Sequence, residues 1–256
     1  MRVEIGGQPV LRGVNVDAAP GSVVAIVGAS GSGKTMTGLA VLGLLPPGAQ
    51  RTGGTIEVGG EPVRGAADAA RLRGRRVGMI FQEPRRALHP LRTIGSQLRE
   101  VVSTLRGERG AAARATIKTL LDDAGFPDAM DRLDARPHQL SGGEAQRIGI
   151  ALALAGDPAV LLADEPTTAL DVLVQRTILE RLHHLARSRR MAVILVSHDL
   201  RVVAEVADRA FVMDAGQTVE SAPVTAIFDA PQAAATRQLL AASGLAAGRE
   251  PAAPSA

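Results

Sequence analysis

Residues 28–35 read Gly28-Ala29-Ser30-Gly31-Ser32-Gly33-Lys34-Thr35 and fit G-x-x-x-x-G-K-[ST] at every position. Such a loop works in one local setting. A strand must deliver it and a helix must start on it, so that successive backbone N–H groups and the helix dipole face an anion. The sequence supplies both neighbours. Ser22–Val27 is a β-branched run ending in glycine, the pattern of a buried strand, and Met36–Leu45 reads as a helix stopped by Pro46-Pro47-Gly48. In this motif the lysine ammonium reaches the outer phosphates and the hydroxyl serves Mg²⁺, which assigns those tasks to Lys34 and Thr35. Composition sharpens the point: of 29 basic residues all but Lys34 and Lys118 are arginine, so a lysine at this position stands out against its background.

The rest of the chain alternates strand and helix patterns. Val77–Phe81, Ala159–Ala163, Ala192–Val196 and Ala210–Met213 read as buried strands, and Thr55–Val58 as an exposed antiparallel one. Thr93–Leu105, Ala111–Ala124, Ser141–Ala155, Asp171–Ala186 and Leu200–Ala207 read as helices. This order predicts an α/β fold whose parallel sheet is covered on both faces. No internal repeat is visible, and the Ala/Pro-rich stretch 246–256 is expected to be disordered.

Two further sites carry chemistry. Val160-Leu161-Leu162-Ala163 ends in Asp164-Glu165, which places two acids at a strand end; beside a phosphate loop, Asp164 suits Mg²⁺ and Glu165 an attacking water. Leu140-Ser141-Gly142-Gly143-Glu144 opens a helix. Ser141 and Glu144 form a capping box, which explains those two residues locally. It does not explain two glycines in the first turn, where they weaken a helix; close approach of the backbone to a ligand would.

Composition excludes much. There is no Cys, which removes disulfide scaffolds, thiolate zinc sites, Fe–S clusters and a Cys nucleophile. Trp and Tyr are absent and Phe numbers 4, a poor platform for stacking nucleic-acid bases. The pI of about 10.4 accompanies a formal net charge of only +3, so arginine bias accounts for it without a nucleic-acid partner. No run of 18 apolar residues predicts a membrane span, and Met1-Arg2-Val3-Glu4-Ile5-Gly6-Gly7 lacks the apolar region of a signal peptide, so the chain is expected to stay in the cytosol.

Taken together, these motifs resemble the ATP-binding subunit of ABC transporters over nearly the whole chain. The matching residues are the 28–35 loop, Gln82 in Phe81-Gln82-Glu83-Pro84, the signature Leu140–Glu144, Asp164-Glu165, Ala169-Leu170-Asp171, and His198 in Val196-Ser197-His198-Asp199. The resemblance implies a P-loop NTPase core with a small antiparallel β subdomain, within a single domain over 1–245 that carries a helical subdomain at about 84–155. It implies ATP and Mg²⁺ as ligands and ATP hydrolysis coupled to transport. By residue, Gln82 would contact Mg²⁺ or the attacking water, and Glu165 and His198 would orient that water. Ser141, Gly142 and Gly143 would bind the γ-phosphate held by a second cassette, and Asp171 would touch that cassette's phosphate loop. The implied partners are the second cassette, identical or related (a heterodimer being favoured), two transmembrane permease subunits docked on the helical subdomain and, through them, a substrate-binding protein. The implied place is peripheral, on the cytoplasmic face of the inner membrane.

Two positions depart from the family pattern. Glu144 stands where Gln is usual, and the residues near the N-terminus offer only Ile5 and Val10 where an aromatic ring usually stacks on adenine. Finer matches resemble the dipeptide/oligopeptide/nickel importer subfamily. They include Ala87–Ile94, Pro137–Ser141, Asp164–Val172 and Ile227-Phe228-Asp229-Ala230-Pro231. Peptide-importer ATPases usually continue into a longer, cysteine-bearing C-terminal extension. The shorter form here, with Leu42–Pro46 and Gly54-Thr55-Ile56, looks most like the nickel importer's ATPase subunit. Cargo is therefore left between nickel or metal chelates and short peptides. A small-molecule P-loop kinase would need neither the Ser141 signature nor His198. A nucleic-acid ATPase of the same class would bring coiled coils or zinc modules, which this sequence lacks.

Overall fold

The computed structural model describes residues 1–168 and 170–245; Ala169 and the expected tail 246–256 fall outside the described residues. The chain opens with a hairpin, β1 (Arg2–Ile5) and β2 (Gln8–Leu11), and then enters the central sheet through β3 (Val23–Gly28). Helix α1 (Lys34–Leu42) follows the phosphate loop, then β4 (Ala49–Gly53), the short pair β5 (Glu57–Val58) and β6 (Glu61–Pro62), and α2 (Ala66–Leu72). After β7 (Val77–Ile80) come four helices, α3 (Pro84–Ala87), α4 (Ile94–Arg106), α5 (Gly110–Asp123) and α6 (Gly142–Leu154). The remainder is β8 (Val160–Asp164), α7 (Val172–Arg189), β9 (Ala192–Ser197), α8 (Leu200–Val206), β10 (Arg209–Asp214), β11 (Gln217–Pro223), α9 (Val224–Asp229) and α10 (Ala234–Ala242).

The main sheet has six strands in the order β11-β10-β3-β9-β8-β7. All neighbours run parallel except β11, which pairs antiparallel with β10 at the edge. This is the α/β architecture that the strand–helix alternation predicts. A separate antiparallel sheet joins β2, β1 and β4.

Strand alternation explains the two-sided burial. In β3, Ala25 and Val27 pack with Leu200, Val203, Ile227, Phe228 and Leu240, whereas Ile26 packs with Val3, Leu11, Val14 and Ala40. Successive side chains point to opposite faces, so a strand covered on both sides must be apolar at every position, and all six residues of β3 are buried. The largest cluster lies under α4, α5, α6 and α7, where Leu98, Leu121, Ile148, Leu154 and Ile178 are all but inaccessible.

Several boundaries move from their predicted positions. Helix α1 ends at Leu42, not Leu45, because Gly43 takes a left-handed conformation (φ 63°) and its N–H caps Ala40 and Leu39 carbonyls. The strand expected over Thr55–Val58 shrinks to Glu57–Val58, and the long antiparallel partner is Ala49–Gly53, which pairs with β1. Helix α7 runs to Arg189, three residues beyond its predicted end, before Arg190 closes it in a left-handed turn.

Candidate active site

Sheet order sets out the site. Reading β3-β9-β8-β7, the phosphate loop leaves β3, His198 follows β9, Asp164 and Glu165 end β8, and Gln82 follows β7. Register aligns these ends: Val27 lies opposite Ser197, Asp164 opposite Val196, and Ile80 opposite Ala163. Four neighbouring parallel strands thus deliver their C-terminal ends to one edge, where open α/β sheets bind ligands.

The loop is built tightly. A methyl group on Gly28 would fall 2.3 Å from the Met213 carbonyl oxygen and 2.6 Å from Ser32 Oγ, so no side chain fits there. Gly33 has φ 101°, a conformation that L-residues avoid. Lys34 is buried, and its Nζ donates to the carbonyls of Gly28 at 2.8 Å and Ala29 at 2.9 Å, drawing the ammonium back across the loop. Burial pushes its pKa below the usual lysine range, and the nearby carboxylates of Glu165 and Asp164 oppose that shift. Ser32 Oγ is buried without a hydrogen-bond partner, which leaves an unfilled polar position inside the loop.

Asp164 is buried, and its Oδ1 accepts from Thr35 Oγ1 at 3.3 Å. Burial raises its pKa, the Thr35 hydroxyl opposes that, and the neighbouring Glu165 charge adds to the rise. In EDTA, Asp164→Asn is therefore expected to raise Tm by about 2–4 °C, the shift that ~1 kcal/mol gives in a chain this long. The amide keeps an acceptor for Thr35 and removes a buried charge beside a second carboxylate. A calorimetric Tm below that of the parent would show that the carboxylate stabilises the fold without metal.

Glu165 is the hub. Its Oε2 accepts from Gln82 Nε2 at 2.9 Å and from Thr168 Oγ1 at 3.0 Å, and its Oε1 lies 2.9 Å from His198 Nδ1. Burial works to raise its pKa, but the His198 and Thr168 hydrogen bonds, with the His198 and Lys34 charges, outweigh that and hold the carboxyl below its usual range. Its backbone is left-handed (φ 44°), and its N–H is bonded to the Val196 carbonyl at 2.9 Å. A strained non-glycine residue at the meeting point of polar side chains is a mark of a functional position.

The structure thus brings together Lys34, Thr35, Asp164, Glu165, Gln82 and His198 from the residues singled out in the sequence. The signature residues lie elsewhere. No hydrogen bond among the described residues joins Ser141, Gly142 or Gly143 to the phosphate loop or to Glu165. Ser141 caps α6 as predicted: Glu144 N donates to Ser141 Oγ at 3.2 Å, Ser141 N donates to Glu144 Oε2 at 2.7 Å, and Arg132 pairs with Glu144 at 3.1 Å. The two glycines gain a packing reason inside the chain. A methyl on Gly142 would lie 3.2 Å from Leu170 Cδ2, and one on Gly143 only 2.9 Å from Val174 Cγ1. Asp171 caps α7, its Oδ1 accepting from Val174 N at 3.0 Å. Arg85, just past Gln82, donates to the Leu140 carbonyl and so ties the Gln82 loop to the signature. Sequence reasoning missed Thr168 as a partner of Glu165. The signal was its position three residues on, the spacing at which a turn brings side chains together.

These residues suit a magnesium-bound nucleoside triphosphate. The loop offers N–H groups and an ammonium to phosphate, the orphaned Ser32 hydroxyl lies within it, and Thr35 and Asp164 put two hard oxygens side by side. Mg²⁺ would be held there by the Asp164 carboxylate and the Thr35 hydroxyl together with the substrate's own oxygens.

The comparisons agree with the geometry. The family model for ABC transporters matches residues 11–168. The dipeptide transport ATP-binding protein DppD of Escherichia coli is 42% identical over 231 residues, covering 90% of this chain and 71% of the relative. The oligopeptide transport ATP-binding protein OppD of Mycobacterium tuberculosis is 47% identical over 227 residues, 87% of this chain and 37% of that longer protein. Among solved structures, the ATP-binding cassette MJ0796, a dimer in a post-hydrolysis state bound to ADP and Pi, superposes with a TM-score of 0.74 at 27% identity, covering 87% of this chain and 95% of that one. With the phosphate loop, the paired strand-end acids and the signature helix all inside the matched region, the chain belongs to the ABC transporter family, as one of its ATPase cassettes.

Proposed function

We propose that this cassette powers the import of short peptides. The observation that carries its ATPase chemistry is the Glu165 carboxylate, held by Gln82, Thr168 and His198 beside the phosphate loop. Glu165 takes a proton from the attacking water, His198 fixes the carboxylate's orientation, and Lys34 and the loop N–H groups hold the phosphates. Thr35, Asp164 and Gln82 are the ligands assigned to Mg²⁺, which when bound neutralises charge developing on the transferred phosphoryl group. The signature residues Ser141, Gly142 and Gly143 lie away from this centre, so they serve the nucleotide of a second cassette, with Asp171 reaching across the same interface. Hydrolysis then alternates the dimer between closed and open. Gln82 and the four helices between β7 and β8 carry that movement to permease subunits at the cytoplasmic membrane face. Among the described residues no helix is long and apolar enough to cross a membrane.

Peptide is favoured over nickel by the relatives, which are named for dipeptide and oligopeptide transport. The nickel resemblance, drawn from chain length and a few local matches, finds no support in them. Reconstituted with its permeases and binding protein in vesicles, the cassette is expected to hydrolyse ATP several-fold faster when short peptides are supplied. Stimulation by a nickel chelate and not by peptides would replace this cargo with the metal.

A further inference from the structure

Outside the row of strand ends lies a second cleft of about 310 Å³, between the C-terminal end of α5, the second turn of α6 and α7. Its lining includes Arg147, Arg181, His184 and Glu180. Neither guanidinium has an acidic partner: among the described residues no ion pair involves Arg147 or Arg181. Arg181 donates from Nη2 to the Asp122 carbonyl, while its Nε is buried with no acceptor. The two forks converge. A methyl group on Gly125 would lie 3.7 Å from Arg181 Nε and 4.0 Å from Arg147 Nε, and glycine leaves that volume open.

The nearby acids do not cancel this charge. Glu180 Oε1 accepts from Arg176 Nε at 2.9 Å, and Asp122 Oδ2 accepts from Lys118 Nζ at 2.7 Å, although Asp122 Oδ1 is buried without a donor. Two planar guanidiniums and an imidazole around open space form a donor set for an oxyanion with several equivalent acceptors. The volume stands at the lower end of small-ligand clefts, about 300–1,000 Å³, so it has room for more than a bare ion.

We infer that this cleft binds a phosphate group, carried either by free phosphate or by a small phosphate monoester. The site also touches the signature helix: Arg147 Nη1 lies 3.4 Å from where a methyl on Gly143 would sit. An occupant that holds Arg147 therefore links the seam between α5 and α7 to the start of α6.

The test removes the phosphate loop from play by using the full chain carrying Lys34→Ala. Inorganic phosphate and glycerol 3-phosphate are each titrated calorimetrically at fixed ionic strength. Binding of either at millimolar or tighter affinity is expected, and which of the two binds tighter identifies the source. Adding Arg181→Gln should weaken it at least tenfold. Because Arg181 also braces α5, His184→Glu is the second variant: it puts a carboxylate at an exposed position on the lip and should weaken binding equally at unchanged Tm. Glu180→Gln should tighten it. Failure of both ligands to bind, or binding unchanged by Arg181→Gln and His184→Glu, overturns the site.

Discussion

Glu165→Gln is expected to leave ATP bound and hydrolysis slowed at least ~100-fold, the lower end of what a positioned general base contributes. The substitution is nearly isosteric and keeps most of the local network. The amide oxygen still accepts from Gln82 Nε2 and Thr168 Oγ1, and the amide N–H₂ faces His198 Nδ1. What it loses is the capacity to take a proton. In the parent that capacity persists to unusually low pH, because hydrogen bonds hold the carboxyl in its charged form against the cost of burial. Phosphate release at saturating ATP reads the rate, nucleotide titration reads the affinity, and gel filtration with ATP should show the variant held as a dimer. Hydrolysis within threefold of the parent would remove Glu165 from the base role while leaving the nucleotide site intact.

Lys34→Ala should act on binding. The ammonium is buried and pinned across the loop by the Gly28 and Ala29 carbonyls, so its charge is already in place before a phosphate arrives. Charge-assisted bonds to a preorganised cation are among the strong ones, and burial in a dry loop reduces screening. Loss of ATP affinity by about 100-fold, ~2.7 kcal/mol, is expected by equilibrium titration. Burying the ammonium also costs stability, as its lowered pKa shows, so the apo variant should melt no lower than the parent. Unchanged ATP affinity would mean that the loop's N–H groups alone hold the nucleotide.

Much of this arrangement was legible because its signals are local. Strands β3, β7, β8, β9 and β10 announce themselves as short, largely apolar runs, mostly buried in the parallel sheet. Ala49–Gly53 gave no such signal. Its composition, Ala-Gln-Arg-Thr-Gly, is polar, and it is a strand only because β1 pairs with it. The β1–β2 hairpin has a local signal as well: Gly6 and Gly7, with φ 55° and 79°, make the two-residue turn between Arg2–Ile5 and Gln8–Leu11. The strand-end acids pointed to Glu165 and the family resemblance to Gln82 and His198, but nothing in the sequence says that Gln82 and His198 bind the two oxygens of the same carboxylate. That follows from the strand order β9-β8-β7, which is a tertiary fact. For Gly142 and Gly143 the structure adds a second reason for small size that the sequence did not show: Leu170 and Val174 crowd them within the chain.

One consequence follows from the way Glu165 is held. Oε2 takes two partners and Oε1 one, so the acceptor position left for an incoming water is on Oε1, beside His198. The Gln82 bond comes from the loop that leads into the four helices, so a shift of that segment would release one of the three restraints that aim the carboxylate. Under the proposed function, movement of the helices and the aim of the base would then be coupled through a single hydrogen bond.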